Sequence, residues 1–333
     1  MKPSAEKRKI KVIVNPVSGT RSKRGVPELV ERTLLDAGFE VEICYTTCRG
    51  DATRIGREAV SEACYGVLAV GGDGTVNETA AALCGSGTAL GIIPLGSGNG
   101  LARHVGIPMD VKAALRVICR DVVRACDYAT ANETPFFCTC GFGFDAAVTH
   151  RFSRKGRRGL MTYLQSTLEE FKDYRSDRYR IAVDGYDSFE QDAFVVACCN
   201  ASQYGNNAFI APHASITDGL LDLTVIHEGN PLSKVLVGVE MMTGLIGSNA
   251  MIDILQARRI VIDRPAAGPA HLDGEPVEMP AHIEVQVHPG GLYMFTNDRK
   301  MRFRPLLSAL YKPVEELASR IRSCVYETCR ADS

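Results

Sequence analysis

The sequence predicts two domains: an amino-terminal doubly wound α/β domain and a carboxy-terminal antiparallel β-rich sandwich domain. Three observations predict this. Apolar strand runs alternate with helical spacing between Ile10 and Ile93. Beyond about residue 130 the pattern changes to many short β-like runs divided by turns. The chain has 333 residues, more than one hydrophobic core ordinarily serves.

Residues 10–14 read as a buried strand entered from a basic leader, broken by Asn15-Pro16-Val17-Ser18-Gly19. Leu29, Val30, Leu34 and Leu35 then share one face of a helix over 27–37, which Gly38 is placed to stop. Residues 41–45 form a second strand, and Asp51 is positioned to cap a helix running to about Ala63. Residues 66–70 form a third strand ending at a double glycine, a helix follows through 77–83, and 90–93 is a fourth strand. This order is that of a parallel sheet covered on both faces, where ligands bind at the carboxyl ends of the strands. Three glycine-rich breaks lie at those ends: 15–19, 71–75 and 96–100. In the second half, residues 136–140, 178–183, 193–200, 220–227, 259–262 and 283–288 are short strands, with helical pattern at 158–173 and 231–246. Leu310, Val314, Leu317, Ile321 and Val325 line one stripe of a helix over 306–329, which either packs back on the body or lies on a membrane. The expected units are 8–130, 131–300 (with its last strand rejoining the first domain) and a helical extension, 301–333.

Composition narrows the function. With 38 basic against 39 acidic residues the net charge is -1, which speaks against a nucleic-acid binder. No signal peptide is visible and no window holds 18 uninterrupted apolar residues, so a cytoplasmic protein without a transmembrane span is expected. The twelve cysteines form no C-x-x-C pair and read as buried, reduced thiols.

Gly71-Gly72-Asp73-Gly74-Thr75-Val76-Asn77-Glu78 follows an apolar strand and opens a helix. Glycines let the backbone approach phosphate oxygens, and a helix amino terminus offers unpaired N–H groups. An aspartate among such amides repels phosphate unless Mg²⁺ bridges the two. The segment resembles the nucleotide-binding signature of the diacylglycerol kinase catalytic superfamily, which includes bacterial lipid kinases and sphingosine kinases and shares its glycine-aspartate core with NAD kinases. Asn15-Pro16-Val17-Ser18-Gly19 is similar to that family's first phosphate-side loop, and Pro94-Leu95-Gly96-Ser97-Gly98-Asn99-Gly100-Leu101-Ala102-Arg103 to its third motif. The resemblance implies the NAD kinase/diacylglycerol kinase-like fold.

It also implies roles. Thr46 would lie near the adenosine and Ser97 near the phosphates of ATP. Ile216-Thr217-Asp218-Gly219-Leu220-Leu221-Asp222 resembles a segment that binds a structural Mg²⁺, here through Ser215, Asp218 and Leu220. Leu272-Asp273-Gly274-Glu275 resembles the catalytic segment, with Glu275 taking the proton of a lipid hydroxyl and Asp273, together with Asp73, organising Mg²⁺. Asp127 matches an acidic residue on the acceptor side. The family's bacterial members often carry an aspartate where Gly100 stands, and the form found here is closer to that of sphingosine kinases.

Arg151, Arg154, Lys155, Arg157 and Arg158 form a basic run that serves equally as a membrane contact or as a solvated loop. The expected function is therefore an Mg²⁺-dependent lipid kinase, acting peripherally and transiently at the inner face of the membrane, on diacylglycerol or a related lipid. A sphingoid-base kinase, an NAD kinase and an inactive nucleotide-binding regulator are the alternatives, and a homodimer stays open.

Overall fold

A computed structural model describes residues 8–16, 25–154, 174–246 and 249–297. The first domain begins with β1 (Lys9–Val14), α1 (Val26–Asp36), β2 (Glu40–Tyr45), α2 (Asp51–Ser61), β3 (Gly66–Gly71), α3 (Asp73–Leu83) and β4 (Ala89–Pro94). The four strands are parallel in the order β4-β3-β1-β2. Strands β3 and β4 are buried throughout, which explains their unbroken apolar runs. The step from β1 out to β2 and back across to β3 sends α1 and α2 to opposite faces, because such crossovers are right-handed. Helix α1 accordingly packs with α5 (Val111–Ile118), and α2 with α3.

Boundaries depart from expectation in two places. Asp51 is the first residue of α2 and not its cap: Gly50 holds the cap position at φ 89°, and the Asp51 carboxylate reaches back to the N–H groups of Thr47 and Cys48. Helix α3 starts at Asp73, four residues earlier than the apolar pattern indicated, because Gly72 supplies an extended cap. Helix α4 (Gly100–His104) and α5 follow β4 and were not apparent from apolar spacing.

Strands β5 (Val123–Ala131) and β6 (Thr134–Phe136) lead into the second domain. It contains β7 (Thr139–Gly143), α6 (Phe144–Arg154), β8 (Asp177–Val183), β9 (Phe189–Cys199), β10 (Leu221–His227), α7 (Pro231–Thr243), β11 (Ile252–Ala257), β12 (Arg259–Asp263), β13 (Gly268–Leu272), β14 (Glu275–Met279) and β15 (His282–Phe295). The strand expected over 136–140 is split between β6 and β7. Helix α7 ends at Thr243, where Gly244 turns into the left-handed region at φ 77°. Central β9 is buried on both faces. Val196 and Cys198 enter the core between the strands, while Val195, Ala197 and Cys199 face a second cluster with Phe144, Val148 and Val237.

Strand β15 joins the two halves. Ile283, Val285 and Val287 belong to the sandwich core, whereas Leu292, Met294 and Phe295 complete the core of the first domain. It runs antiparallel to β12 and β5, and parallel to β4 at Met294–Leu90. The register shifts between His288 and Leu292, with Gly290 at φ 63°.

The helix predicted over 158–173, the basic positions Lys155, Arg157 and Arg158, the nucleotide-loop positions Val17, Ser18 and Gly19, and the terminal helix all lie outside the described residues.

Candidate active site

Two glycine loops meet at the carboxyl ends of β3 and β4. A Cβ added at Gly96 would lie 2.6 Å from the Gly72 Cα, so the loops touch backbone to backbone. Asp73 fastens them: its carboxylate accepts the N–H groups of Asn99 and Gly100, each at 2.9 Å. Gly98 must lack a side chain, since a Cβ there would stand 2.9 Å from Asp73 Oδ2. Asn99 bends into the left-handed region at φ 53° and closes its own loop, accepting from Gly96 N–H (3.1 Å) and donating to Gly96 O (2.7 Å). Asn15 brings in the first loop, donating from Nδ2 to Thr75 Oγ1 at 3.1 Å.

Within the same segment Glu78 accepts the Gly50 N–H (3.0 Å), tying α3 to the start of α2. Gly74 and Ser97 are exposed, Asn77 is half-buried, and Pro16 borders the first loop. Thr46 is buried at the end of β2, its N–H on Val14 O. Val76, within the expected nucleotide segment, has its side chain in the core and its N–H on Gly72 O.

The second domain brings a hairpin to this place. Leu272 pairs with Glu275, leaving Asp273 and Gly274 as a two-residue turn with φ 52° and 79°. Positive φ at both positions is the tight hairpin that Asp-Gly favours. The Asp273 carboxylate accepts from the N–H groups of Phe137 (2.8 Å), Cys138 (2.6 Å) and Thr139 (2.9 Å). These three donors on its two oxygens bolt the turn to β7. Burial pushes this carboxyl up to about 6, against the pull of those donors. Glu275, the first residue after the turn, stays accessible. Its Oε1 lies 3.9 Å from where a Gly74 Cβ would stand, and Arg49 Nη2 is 3.8 Å from its Oε2. The side chains of Arg49 and Glu275 are 85% and 45% exposed, so this pair contributes little stability.

Cys138 lies between the two aspartates. Its thiol is pushed well up, by burial first and then by the charges of Asp273 and Asp73. Among the described residues neither aspartate is in an ion pair with a basic side chain. Asp73, with one N–H on each oxygen, keeps a lone pair free on both, which suits Mg²⁺.

A second acidic group gathers on the 215–222 loop. Asp218 Oδ1 accepts the Leu220 N–H at 3.1 Å, and Ser215 Oγ lies 3.2 Å from Thr217 Oγ1. Burial and the charge of Asp127 raise the Asp218 carboxyl. Burial also raises Asp222 to about 6, and its Oδ2 is buried with no partner. Such an orphaned oxygen fits a structural cation held by Asp218 and the backbone. Among the described residues no cluster of three or more His, Cys, Asp or Glu side chains would hold one alone. Asp127, expected on the acceptor side, stands beside this loop. It is buried, and its oxygens accept the N–H groups of Gly219 and Gly290, each at 2.7 Å. It staples the 215–222 loop to the β15 bulge.

The order of these parts finds its counterpart in known proteins. Residues 9–131 match the diacylglycerol kinase catalytic domain, and 138–296 match the YegS C-terminal NAD kinase beta sandwich-like domain. A protein of Cronobacter sakazakii described as a YegS-like lipid kinase is 32% identical over 272 residues, covering 78% of this chain and 88% of its own. The chain belongs to the diacylglycerol kinase catalytic family. It is thereby an ATP-dependent kinase of the lipid kinase class. The diacylglycerol kinase of Bacillus subtilis is 27% identical over 274 residues, 80% of this chain and 90% of its own. A crystal structure of a diacylglycerol kinase from Bacillus anthracis shares the fold of this lipid kinase, with a TM-score of 0.70 at 23% identity over 89% of this chain and 99% of the other. Among the described residues no helix of the lipid kinase is long and apolar enough to cross a membrane.

Sequence reasoning did not single out Arg49, His104, Asp145, Tyr204 or His271. Arg49 carried a readable signal, since it directly precedes the Gly50-Asp51 start of a predicted helix at the same sheet edge. The others come together only through the second domain's topology.

Proposed function

We propose that this lipid kinase transfers the γ-phosphoryl group of ATP to the hydroxyl of diacylglycerol or a closely related lipid, with Mg²⁺. The supporting observation is Glu275, an accessible carboxylate carried on a rigid turn to the rim of the Gly72–Gly74 loop. The glycine loops 72–75 and 96–99 would hold the triphosphate, and Asp73 would hold the cation. Mg²⁺ supplies neutralisation of the charge that builds on the phosphoryl oxygens. Glu275 accepts the hydroxyl proton as that oxygen bonds to the γ-phosphorus, and the bond to the bridging oxygen breaks to leave ADP. Positioning and charge neutralisation supply most of the rate in such transfers, so a sparse side-chain set suffices. The acceptor reaches the site from a membrane surface, to which Arg151 and Arg154 at the end of α6 add positive charge.

Gly100 bears on the acceptor. A Cβ there would make ordinary contacts with Cys138 Sγ (3.5 Å), Gln203 O and Gly205 N (both 3.6 Å), so any side chain would point into the domain junction. The test is a panel of diacylglycerol, sphingoid base and NAD with labelled ATP, with Mg²⁺ or with chelator. Metal-dependent labelling of diacylglycerol is expected, together with a loss of about 10²–10⁴-fold in kcat for Glu275→Gln while ATP binding survives. Labelling of the sphingoid base alone would move the acceptor, and a Glu275→Gln enzyme as fast as the parent would remove Glu275 as base.

A further inference from the structure

Beneath the catalytic hairpin lies a buried polar chain that the transfer chemistry does not itself use. His271 on β13 is 1% exposed, four residues before Glu275. The Gly274 N–H donates to its Nδ1 at 3.4 Å. With Nδ1 an acceptor, the neutral ring carries its proton on Nε2, which donates to Asp145 Oδ2 at 3.0 Å. Tyr204 O–H donates to the same oxygen at 2.7 Å, and the Ala146 N–H donates to Asp145 Oδ1 at 2.7 Å. A buried carboxylate needs such donors, and this one has three. Gly141 makes the room. A Cβ there would fall 2.2 Å from Asp145 Oδ2 and 2.3 Å from His271 Nε2.

The far end of the chain touches the nucleotide side. Tyr204 precedes Gly205, where a Cβ would lie 3.2 Å from the Gly98 Cα, and the Asn206 N–H donates to Gly98 O at 3.4 Å. One continuous set of contacts therefore runs from the third glycine loop through Tyr204, Asp145 and His271 to the turn that carries Glu275.

We propose that Tyr204, Asp145 and His271 are positioning residues, which hold the Gly274 N–H and so fix Glu275 against the glycine loops. The proposal rests on the reading of Glu275 as the base. Asp273 clamps one side of the turn and His271 supports the other. Without His271 the Gly274 amide is unsupported and Glu275, on an exposed tip, samples unproductive positions. Asp145 and Tyr204 keep the imidazole in the one tautomer that can accept from Gly274.

The test uses the full-length enzyme and measures kcat, the KM for ATP and the melting temperature. His271→Ala is expected to lower kcat by about 10–100-fold, the scale of a small misplacement of a reacting group, with the KM for ATP changed less than about twofold. His271→Asn, which sets an amide oxygen where Nδ1 stood, is expected to recover most of that loss. Tyr204→Phe, which removes only a hydroxyl, is expected to lower kcat about 3–10-fold while the protein stays folded. In a Glu275→Gln background the His271→Ala change is expected to lower the residual rate less than about twofold, because its effect passes through Glu275. An unchanged kcat in Tyr204→Phe, with His271→Ala either fully active or unfolded, overturns the proposal, as does a folded His271→Asn no faster than His271→Ala. So does an equal fractional loss in the Glu275→Gln background. A Glu275→Gln enzyme as fast as the parent overturns the underlying reading instead, and this is seen before any His271 variant is needed.

Discussion

At Gly96 two loops from different strands meet with no side chain between them, and the contact is backbone on both sides. A methyl group cannot be accommodated by rotating a neighbour, since the atom 2.6 Å away is the Gly72 Cα. Gly96→Ala is therefore expected to push the loops apart, raising the KM for ATP at least about tenfold while destabilising the fold by only about 1–3 kcal/mol. Isothermal titration with ATP and a denaturant melt separate the two effects. An unchanged ATP affinity would show that the loops need not touch. These glycines were legible because their absence of side chain is written in the sequence. The Asp-Gly turn was legible for the same reason, since few other pairs tolerate positive φ twice. The partners of the carboxylates were not. Asp127, Asp273 and Asp73 all read as candidates for metal or substrate, yet each spends its oxygens on backbone N–H groups, and no spacing rule foretells which amides a fold will bring near.

At the scale of elements, the short helix α4 bonds to the second domain through a buried ring. His104 Nδ1 accepts the Ser202 N–H at 3.1 Å, with Ser202 Oγ at 3.0 Å. Burial lowers its pKa to about 4, so the ring is neutral and able to accept. The ordinary value is near 6.5. Between about pH 6.5 and 4 the unfolded chain therefore binds a proton that the folded ring refuses. This contribution to stability is complete above about pH 6.5 and is lost as pH falls, reaching about 3 kcal/mol near pH 4. His104→Asn keeps an acceptor in place of Nδ1 but cannot take up a proton. Urea melts at pH 7 and pH 4.5 should show a smaller acid-induced loss in the variant than in the parent, and equal losses would count against the buried ring. Elements with strong periodicity, β1 through β4, were legible to within a few residues. Helix α4 spans only five residues, and β5 carries Arg124 and Asp127 within its run, so neither gave an apolar pattern to find.

For the whole molecule, the first domain's core is closed by the last described strand. Phe295 is 1% exposed, stacks edge-on to Tyr65 with centroids 5.9 Å apart, and lies over Gly66, where a Cβ would meet its ring at 2.9 Å. Phe295→Ala is expected to cost about 3–5 kcal/mol, as for other buried phenylalanines. Because the strand serves both cores, fluorescence and circular dichroism should still report one transition at a lower midpoint. A loss under about 1 kcal/mol would show that the first domain is complete without β15.

The interruption at Pro289-Gly290-Gly291 divides that shared strand into two stretches. In an unbroken strand a slip of one residue turns every side chain to the opposite face, and an error at one end reaches the other. Here the extra residues at 289–291 separate the two stretches, so each keeps its own alternation. The bulge itself is pinned, by the Gly290 N–H on Asp127 (2.7 Å) and the Gly85 N–H on Gly291 O (2.8 Å), so the offset between the two stretches is fixed. The extra residues at 289–291 thus let the sandwich stretch and the first-domain stretch of one strand hold separate registers.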